Sequence, residues 1–368
     1  MTFGEFQRTL EEWIPLATAW KGDNSGAQIG RKSSRITNIL VALDVTMEVA
    51  EEAIRRRANL ILTHHPLIFH PLRSLTPDSR AGEIALYVAE QKINLYAAHT
   101  NLDYVTGGVS TVMAAKLGLQ NVKVLSPLRE SVSKVIVFVP ASHLESVARA
   151  MHDAGGGRFN KYQECSFRSE GVGTFKGMKG ARPFIGKEGI LERTREVKLE
   201  ILVEKWNVTR VIGAMIKAHP YEEVAYDIIP LENESRETGL GAVGELPKAV
   251  PGRTFLKIVK QKLNVPFLRF AGNAAKSVRR VAVCGGAGSD LVTDAIRQKA
   301  DAFITADIKY HSFQGAEREI LFIDAGHFET EQGILPLLAE RAQAIAGSYR
   351  SGSKVFITKK NTNSISYF

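Results

Sequence analysis

Short apolar runs separated by amphipathic stretches set the pattern of this chain, and the pattern occurs twice. Ile39-Leu-Val-Ala-Leu-Asp44, a helical stretch to Ala58 and Leu60-Ile-Leu-Thr-His-His65 stand beside Arg280-Val-Ala-Val-Cys284, a helical stretch to Ala300 and Phe303-Ile-Thr-Ala-Asp307. Each reads strand, helix, strand. The following segments correspond as well. Ile93-Asn-Leu-Tyr-Ala-Ala-His99 leads to a helix over Gly108 to Leu117, and Ile320-Leu-Phe-Ile-Asp-Ala-Gly-His327 to a helix from about Gln332 to Ile345. Self-similarity of this kind dictates architecture. Strands of about 4 to 8 residues, rich in Ile, Leu, Val and Phe and joined by amphipathic helices, predict an α/β fold with two homologous lobes and mainly parallel sheets.

A different pattern separates the two copies, from about Val132 to Leu231. It reads as a strand Lys134 to Val139, then a helix opening at Ser142 with Glu145 as its capping-box partner, then a strand near Tyr162 to Gly173. A strand Glu196 to Val203, a helix behind the N-cap Asn207 and a strand Ala225 to Leu231 complete the set. The order βαββαβ predicts an inserted ferredoxin-like domain. The expected division is 1–128 for the first lobe, 129–235 for the insert and 236–368 for the second lobe. A chain of 368 residues, 44% hydrophobic, has the material for two or three such units.

Composition narrows the setting. Two cysteines, Cys165 and Cys284, lie far apart in sequence, which supports neither a disulfide framework nor a zinc ribbon. Met1 to Trp20 mixes charges with apolar residues at helical spacing, unlike a signal peptide, and no apolar run is long enough for a membrane span. A cytoplasmic protein without a membrane partner is expected. The formal charge of +9, with five basic and no acidic residues from Arg341 to Phe368, leaves nucleic acid open as a partner, although scattered charge usually marks a solvated face.

The candidate chemistry lies at strand ends. Of nine histidines, five follow apolar strands of the lobes: His64, His65, His99, His311 and His327. Ligands of open α/β sheets bind outside the carboxyl ends of strands. His99 and Asp103 in one lobe match His327 and Glu331 in the other, each a histidine with a carboxylate four residues on, a spacing that can aim both groups at one point. His64 and His65, adjacent at a strand end, can both turn toward the cleft. Such a mixed imidazole and carboxylate set suits a pair of divalent ions with Glu331 or Asp103 bridging. Grouping so many titratable side chains is costly without a cation. His70, His143 and His152 read as ordinary surface or capping residues, and His219 with Glu222 and Glu223 as a local cap network.

Leu62-Thr-His-His-Pro-Leu67, Ala98-His-Thr-Asn-Leu-Asp103, Thr305-Ala-Asp-Ile-Lys-Tyr-His311 and Asp324-Ala-Gly-His-Phe-Glu-Thr-Glu331 resemble the signatures of the Nif-three-like dinuclear-metal family, the GTP cyclohydrolase 1 type 2 homologs. Gly22-Asp-Asn-Ser-Gly26 is similar to that family's N-terminal element, and Ala218-His-Pro-Tyr-Glu-Glu223 to its longer bacterial members with a CutA-like insert. The resemblance implies His64, His65, Asp103, His327 and Glu331 as ligands of two divalent ions per subunit. Zinc is the first expectation for the metal, with iron, manganese, cobalt or nickel as alternatives. It also implies a homohexamer and a hydrolase acting on a nucleotide-like substrate through metal-activated water.

Asp307, Lys309 and His311 follow the strand equivalent to the one bearing His64 and His65 and should border the same cleft; His99 and His311 are then candidates to move protons, and Lys309 to neutralise a substrate phosphate, unless the latter two only brace the ligands. Two other activities fit the same residues, a metal-dependent phosphodiesterase or nucleotidase and a non-catalytic metal-binding scaffold with nucleic-acid affinity. Cys284-Gly-Gly-Ala-Gly288 reads either as an anion loop or as tight packing at a turn.

Overall fold

Ile39–Ala42, Leu60–Thr63 and Asn94–Ala97 are buried at every position, which is why their side chains do not alternate between apolar and polar. In the computed structural model, which describes every residue except Asn160, Arg236, Tyr367 and Phe368, they form the centre of a five-stranded sheet. Its order is Gly26–Ile29, Asn94–Ala97, Leu60–Thr63, Ile39–Ala42, Val355–Ile357, and all neighbours but the first pair are parallel. Ala42 pairs with Thr63 and Thr63 with Ala97, so the three carboxyl ends are level.

The second copy builds a six-stranded sheet in the order Arg269–Ala271, Leu321–Asp324, Ala302–Thr305, Ser277–Val283, Gly239–Pro251, Gln120–Pro127. Only the three strands of the repeated motif are parallel, and the other pairings are antiparallel. A mainly parallel sheet, expected for both lobes, therefore describes the first and not the second. The reason is that the two strands flanking the insert, Gln120–Pro127 and Gly239–Pro251, pair with each other and need no helical crossover.

The two copies also exchange elements. Val355–Ile357, from the end of the chain, is the edge strand of the first sheet, while Gln120–Pro127 is the edge of the second. The helix Leu335–Ser348 places Leu338, Ala342 and Ile345 in the core of the first sheet, beside Phe3, Phe6 and Leu10 of the N-terminal helix. Met113, Ala114 and Leu117 of the helix Val109–Lys116 and its C-cap pack in the core of the second. Residues 1–127 and 237–368 consequently form one compact unit. The chain crosses from one sheet to the other just after His99–Asp103 and again just after His327–Glu331, so both crossovers pass the same place.

Residues 128–236 form the other compact unit. Its elements run Val132–Pro140, Leu144–Asp153, Ser166–Lys176, Leu191–Glu204, Val208–Ala218, Tyr226–Leu231, the βαββαβ order, in a four-stranded antiparallel sheet. Val135, Val137, Val147, Met151, Leu199, Ile201, Val211 and Met215 fill its core. The capping box expected at Ser142 does not form. The chain enters that helix through a 3-10 turn, Ala141–His143, and Glu145 binds Arg168 instead. Asn207 is the N-cap of the next helix, yet its side chain serves Glu204 and Arg210.

Candidate metal centre

Asp44, His64 and His65 lie one or two residues beyond parallel strands of the first sheet, and Asp307 and His327 two or three beyond those of the second. There the regular ladder gives out, with the His64 N–H on the Ala42 carbonyl at 3.3 Å and the next N–H, of His65, on the Leu43 carbonyl at 2.9 Å, so successive side chains need not alternate between faces. His64 and His65 accordingly sit with ring centroids 4.9 Å apart and both present Nε2 to Glu331, at 3.6 Å and 3.0 Å. His327 and Glu331 occupy one short helix at i, i+4, and Nε2 of His327 lies 3.2 Å from Oε1 of Glu331. Asp103, at the end of the helix Thr100–Asp103, brings Oδ1 to 3.8 Å from Nε2 of His64. Of the five residues expected as ligands, drawn from both copies of the repeat, His64, His65 and His327 thus surround Glu331, and Asp103 joins the group through His64.

The far side of each ring is fixed. His64 Nδ1 donates to the carbonyl of Ala98 at 2.7 Å, since that oxygen can only accept. His65 Nδ1 is 2.7 Å from Asp44 Oδ1, and His327 Nδ1 is 2.6 Å from Asp307 Oδ2. With Nδ1 committed to these partners, each Nε2 is the nitrogen turned inward, free to offer a lone pair once it has lost its proton, which is how ligating histidines are oriented. No motif marks Asp44, whereas Asp307 is expected at the border of the cleft and Asp23 lies in the Gly22–Gly26 element, neither with the role of orienting a histidine; a register signal exists for Asp44 and Asp307. Asp44 follows Ala42 as His65 follows Thr63, and Ala42 pairs with Thr63. Likewise Thr305 pairs with Asp324, which puts Asp307 alongside Gly326 and His327.

The electrostatics ask for positive charge. Burial pulls the pKa of His65 down, but hydrogen bonding to Asp44 and Glu331 outweighs it and lifts the value to about 9. His327 rises to about 10 against the same burial effect, through Asp307 and Glu331. His64, fully buried, is also raised, by the charges of Asp103 and Glu331. Burial alone would raise Glu331, yet His64, His327 and His65 hold it well below the usual carboxylate range. Asp103 is pushed up to about 6, mainly by burial. Nε2 of His64, Nε2 of His65 and Oε2 of Glu331 are buried and none has a well-aligned hydrogen bond, although Nε2 of His65 and Oε2 of Glu331 stand 3.0 Å apart as a charge pair. Their ligand atoms lie within 4.8 Å of one another, a spacing that one cation could satisfy.

The remaining candidates separate. His99 is the N-cap of its short helix, outside the helical face, and Nδ1 is held 2.6 Å from Asp23 Oδ1; its ring stands 5.5 Å from His64 and 5.7 Å from His65. The pair His99 and Asp103 therefore does not converge as His327 and Glu331 do. Lys309 and His311 are exposed, and Nδ1 of His311 is 3.4 Å from Gln314 Oε1. Among the described residues neither of these two makes a contact with the cluster. In the glycine run, Gly285, Gly286 and Gly288 donate to the hydroxyls of Ser110, Thr330 and Thr305. Those N–H groups are occupied, so tight packing, not anion binding, describes that turn.

An α/β fold whose doubled sheet gathers histidines and acids at its strand ends defines a candidate metal-binding protein. The profile of Duf34/NIF3 (NGG1p interacting factor 3) matches residues 1–364, and the chain belongs to that family. It is 44% identical over 320 residues to the "GTP cyclohydrolase 1 type 2 homolog" of Halalkalibacterium halodurans, covering 86% of each chain. The protein of that name from Bacillus subtilis is 39% identical over 360 residues, covering 97% of this chain and 96% of its own. A Bacillus cereus protein related to NIF3 superposes with a TM-score of 0.88 at 37% identity, covering 100% of this chain and 99% of the other.

Proposed function

We propose that this protein is a dinuclear metal-dependent hydrolase that uses metal-activated water on a nucleotide or related heterocycle. The supporting observation is the buried convergence of Nε2 of His64, Nε2 of His65 and a carboxylate oxygen of Glu331 within 4.8 Å of one another, with Nε2 of His64, Nε2 of His65 and Oε2 of Glu331 each lacking a well-aligned hydrogen bond. Leaving such atoms without a hydrogen bond costs about 1–3 kcal/mol each, and a cation would remove that cost. His64, His65, Asp103, His327 and Glu331 would hold the ions, with Glu331, central to three imidazoles, as the bridging group. Bound divalent ions supply a Lewis acid and a water whose pKa falls toward neutrality.

The chain's own groups do the rest. Ala98, Asp44 and Asp307 fix the ring tautomers, and His99, steadied by Asp23 at the edge of the cluster, is placed to carry a proton. Lys309 and His311 stay in the proposal as exposed groups that a substrate could recruit. The name shared by the relatives suggests a guanine nucleotide as substrate. The same reading takes zinc as the first metal, a CutA-like inserted domain, a homohexameric assembly and a cytoplasmic setting. No helix among the described residues is long and apolar enough to cross a membrane.

The test is elemental analysis of protein purified without added metal, followed by a nucleotide screen. About two divalent ions per chain, and formate release from GTP lost in Glu331→Ala, support the reading. Phosphate or nucleotide products would indicate a phosphodiesterase or nucleotidase. The basic stretch from Arg341 favours one further reading, a metal-binding scaffold for nucleic acid. Salt-sensitive binding of single-stranded DNA that survives Glu331→Ala, without turnover of any nucleotide, would replace the hydrolase by it.

A further inference from the structure

Beyond the edge strand Val355–Ile357, which runs parallel to Ile39–Ala42, the chain continues to the carboxyl-end side of the sheet, and its contacts are specific. Thr358 Oγ1 and the Lys359 N–H both donate to Oε2 of the buried Glu52, at 2.7 and 3.2 Å. Thr362 and Asn363 are then half-buried between exposed neighbours. Thr362 Oγ1 donates to Asp44 Oδ2 at 2.9 Å, while the other oxygen, Oδ1, takes the Nδ1 of His65. Asn363 Nδ2 donates to Oε1 of Glu329 at 3.1 Å. Glu329 is itself buried, midway between His327 and Glu331 on their short helix. The N–H groups of Asn363 and Ile365 donate to the side chains of Asn361 and Asn363, so the strap is held in a turned conformation by its own asparagines.

Two consecutive side chains therefore grip both halves of the cluster, one through the carboxylate that orients His65, the other through the helix that carries His327 and Glu331. The geometry points to Thr362 and Asn363 as positioning residues of the metal centre, an inference that rests on the metal-binding reading above. Without the Thr362 hydroxyl, Asp44 loses the bond that fixes its second oxygen, and the carboxylate is free to rotate away from the plane of the His65 ring. Without the Asn363 amide, Glu329 is left buried without that donor and the ligand helix loses an anchor on its outer side. Both side chains touch no ligand atom, so their effect has to appear in affinity and ring orientation.

The experiment measures zinc affinity of the full-length protein by competition with a chromophoric chelator, for the wild type, Thr362→Val, Thr362→Ser and Asn363→Leu. The 15N resonances of His65 are recorded alongside. Removal of partners behind metal ligands weakens binding by about 10–100-fold, and a group one step further out is expected near the tenfold end. Thr362→Val is expected to lose about tenfold and to move the His65 Nδ1 resonance, with thermal stability kept. Thr362→Ser restores both, because it returns the hydroxyl but not the methyl group.

Wild-type zinc binding that neither Thr362→Val nor Asn363→Leu weakens overturns the positioning role and leaves the metal reading standing. A wild type that binds no zinc, manganese or iron overturns both. Loss of affinity that Thr362→Ser fails to restore, with the His65 resonance unmoved, assigns the tail a merely structural role and also overturns the inference.

Discussion

Replacing Gly286 by alanine tests whether Glu331 is the pivot of the cluster. The glycine has φ +61°, and a methyl group built on it would meet Glu331 Oε1 at 2.1 Å and His327 Nε2 at 3.1 Å. Two costs follow, and they are read by different measurements. The left-handed backbone costs an alanine about 1–2 kcal/mol, which in a protein of this size lowers Tm by only a few degrees. Steric relief requires the Glu331 carboxylate to retreat by on the order of 1 Å to reach ordinary contact. That carboxylate is walled in by His64, His65 and His327, so it cannot retreat without leaving its ligand position.

Gly286→Ala should therefore lose zinc affinity by roughly 10–100-fold while remaining folded. Chelator competition measures the first effect and calorimetry the second. In the double variant with Glu331→Ala the two affinity losses should overlap and not add, since both act through one side chain. A Gly286→Ala variant that binds zinc like the wild type, or a double variant with fully additive losses, refutes the reasoning.

Three further outcomes are expected. Zinc loading at pH 7.5 should release protons, because His65 and His327, raised to about 9 and about 10, are protonated there without metal and must give up Nε2–H to bind; calorimetry in buffers of different ionisation enthalpy counts them, and zero release contradicts the cluster's electrostatics. Asp307→Asn should weaken zinc binding about tenfold without unfolding the protein, since asparagine tolerates the φ of 55° that Asp307 adopts while the charge that steadies His327 is removed; an unchanged dissociation constant would count against that orienting role. In the inserted unit, the Tyr221 N–H donates to His219 Nδ1 while Nε2 donates to the Phe138 carbonyl, and burial lowers the imidazole's pKa. The folded state thus prefers neutral His219. Its contribution is complete above the unfolded value of about 6.5 and is lost as pH falls from there toward the folded pKa. An NMR titration of His219 with a midpoint at or above 6.5 would contradict this sign.

The duplicated strand, helix, strand pattern was readable because its strands are buried on both faces and its helices are amphipathic, two signals that a single sequence carries. Pairing between distant segments is not carried that way. Val355–Ile357 is a three-residue edge strand, and Gln120–Pro127 mixes Gln120, Asn121 and Lys123 with apolar residues, so neither announces which sheet it joins. Yet these two strands, with the exchanged helices, make one body of the two copies and bring their strand ends to a common place. The same holds for turn chemistry: Ser142 and Glu145 have capping-box spacing, but Arg168, brought close by strand pairing, takes the glutamate.

At the candidate centre the legibility follows distance from the cation. His64, His65, Asp103, His327 and Glu331 are visible as a constellation, since no apolar core has a use for so many titratable groups at strand ends. Asp44 and Asp307 are one bond further out: Asp307 is legible as a residue at the cleft and Asp44 is not, and the pairing of each with a histidine becomes visible only once strand register is known. Thr362 and Asn363 are further still, in a polar tail with no periodicity. Lys309 and His311 show the converse: proximity in sequence to a ligand-bearing strand end makes them candidates, while Asp307, in a left-handed turn, reaches His327 with its carboxylate and the Lys309 and His311 side chains are exposed, open only to a substrate that would recruit them. Position relative to a strand end therefore does not by itself predict a ligand: the left-handed Gly326, φ 79°, stands between Asp324 and His327 and the chain still delivers His327 and Glu331 to the cluster, whereas beyond the left-handed Asp307 the next polar side chains are exposed.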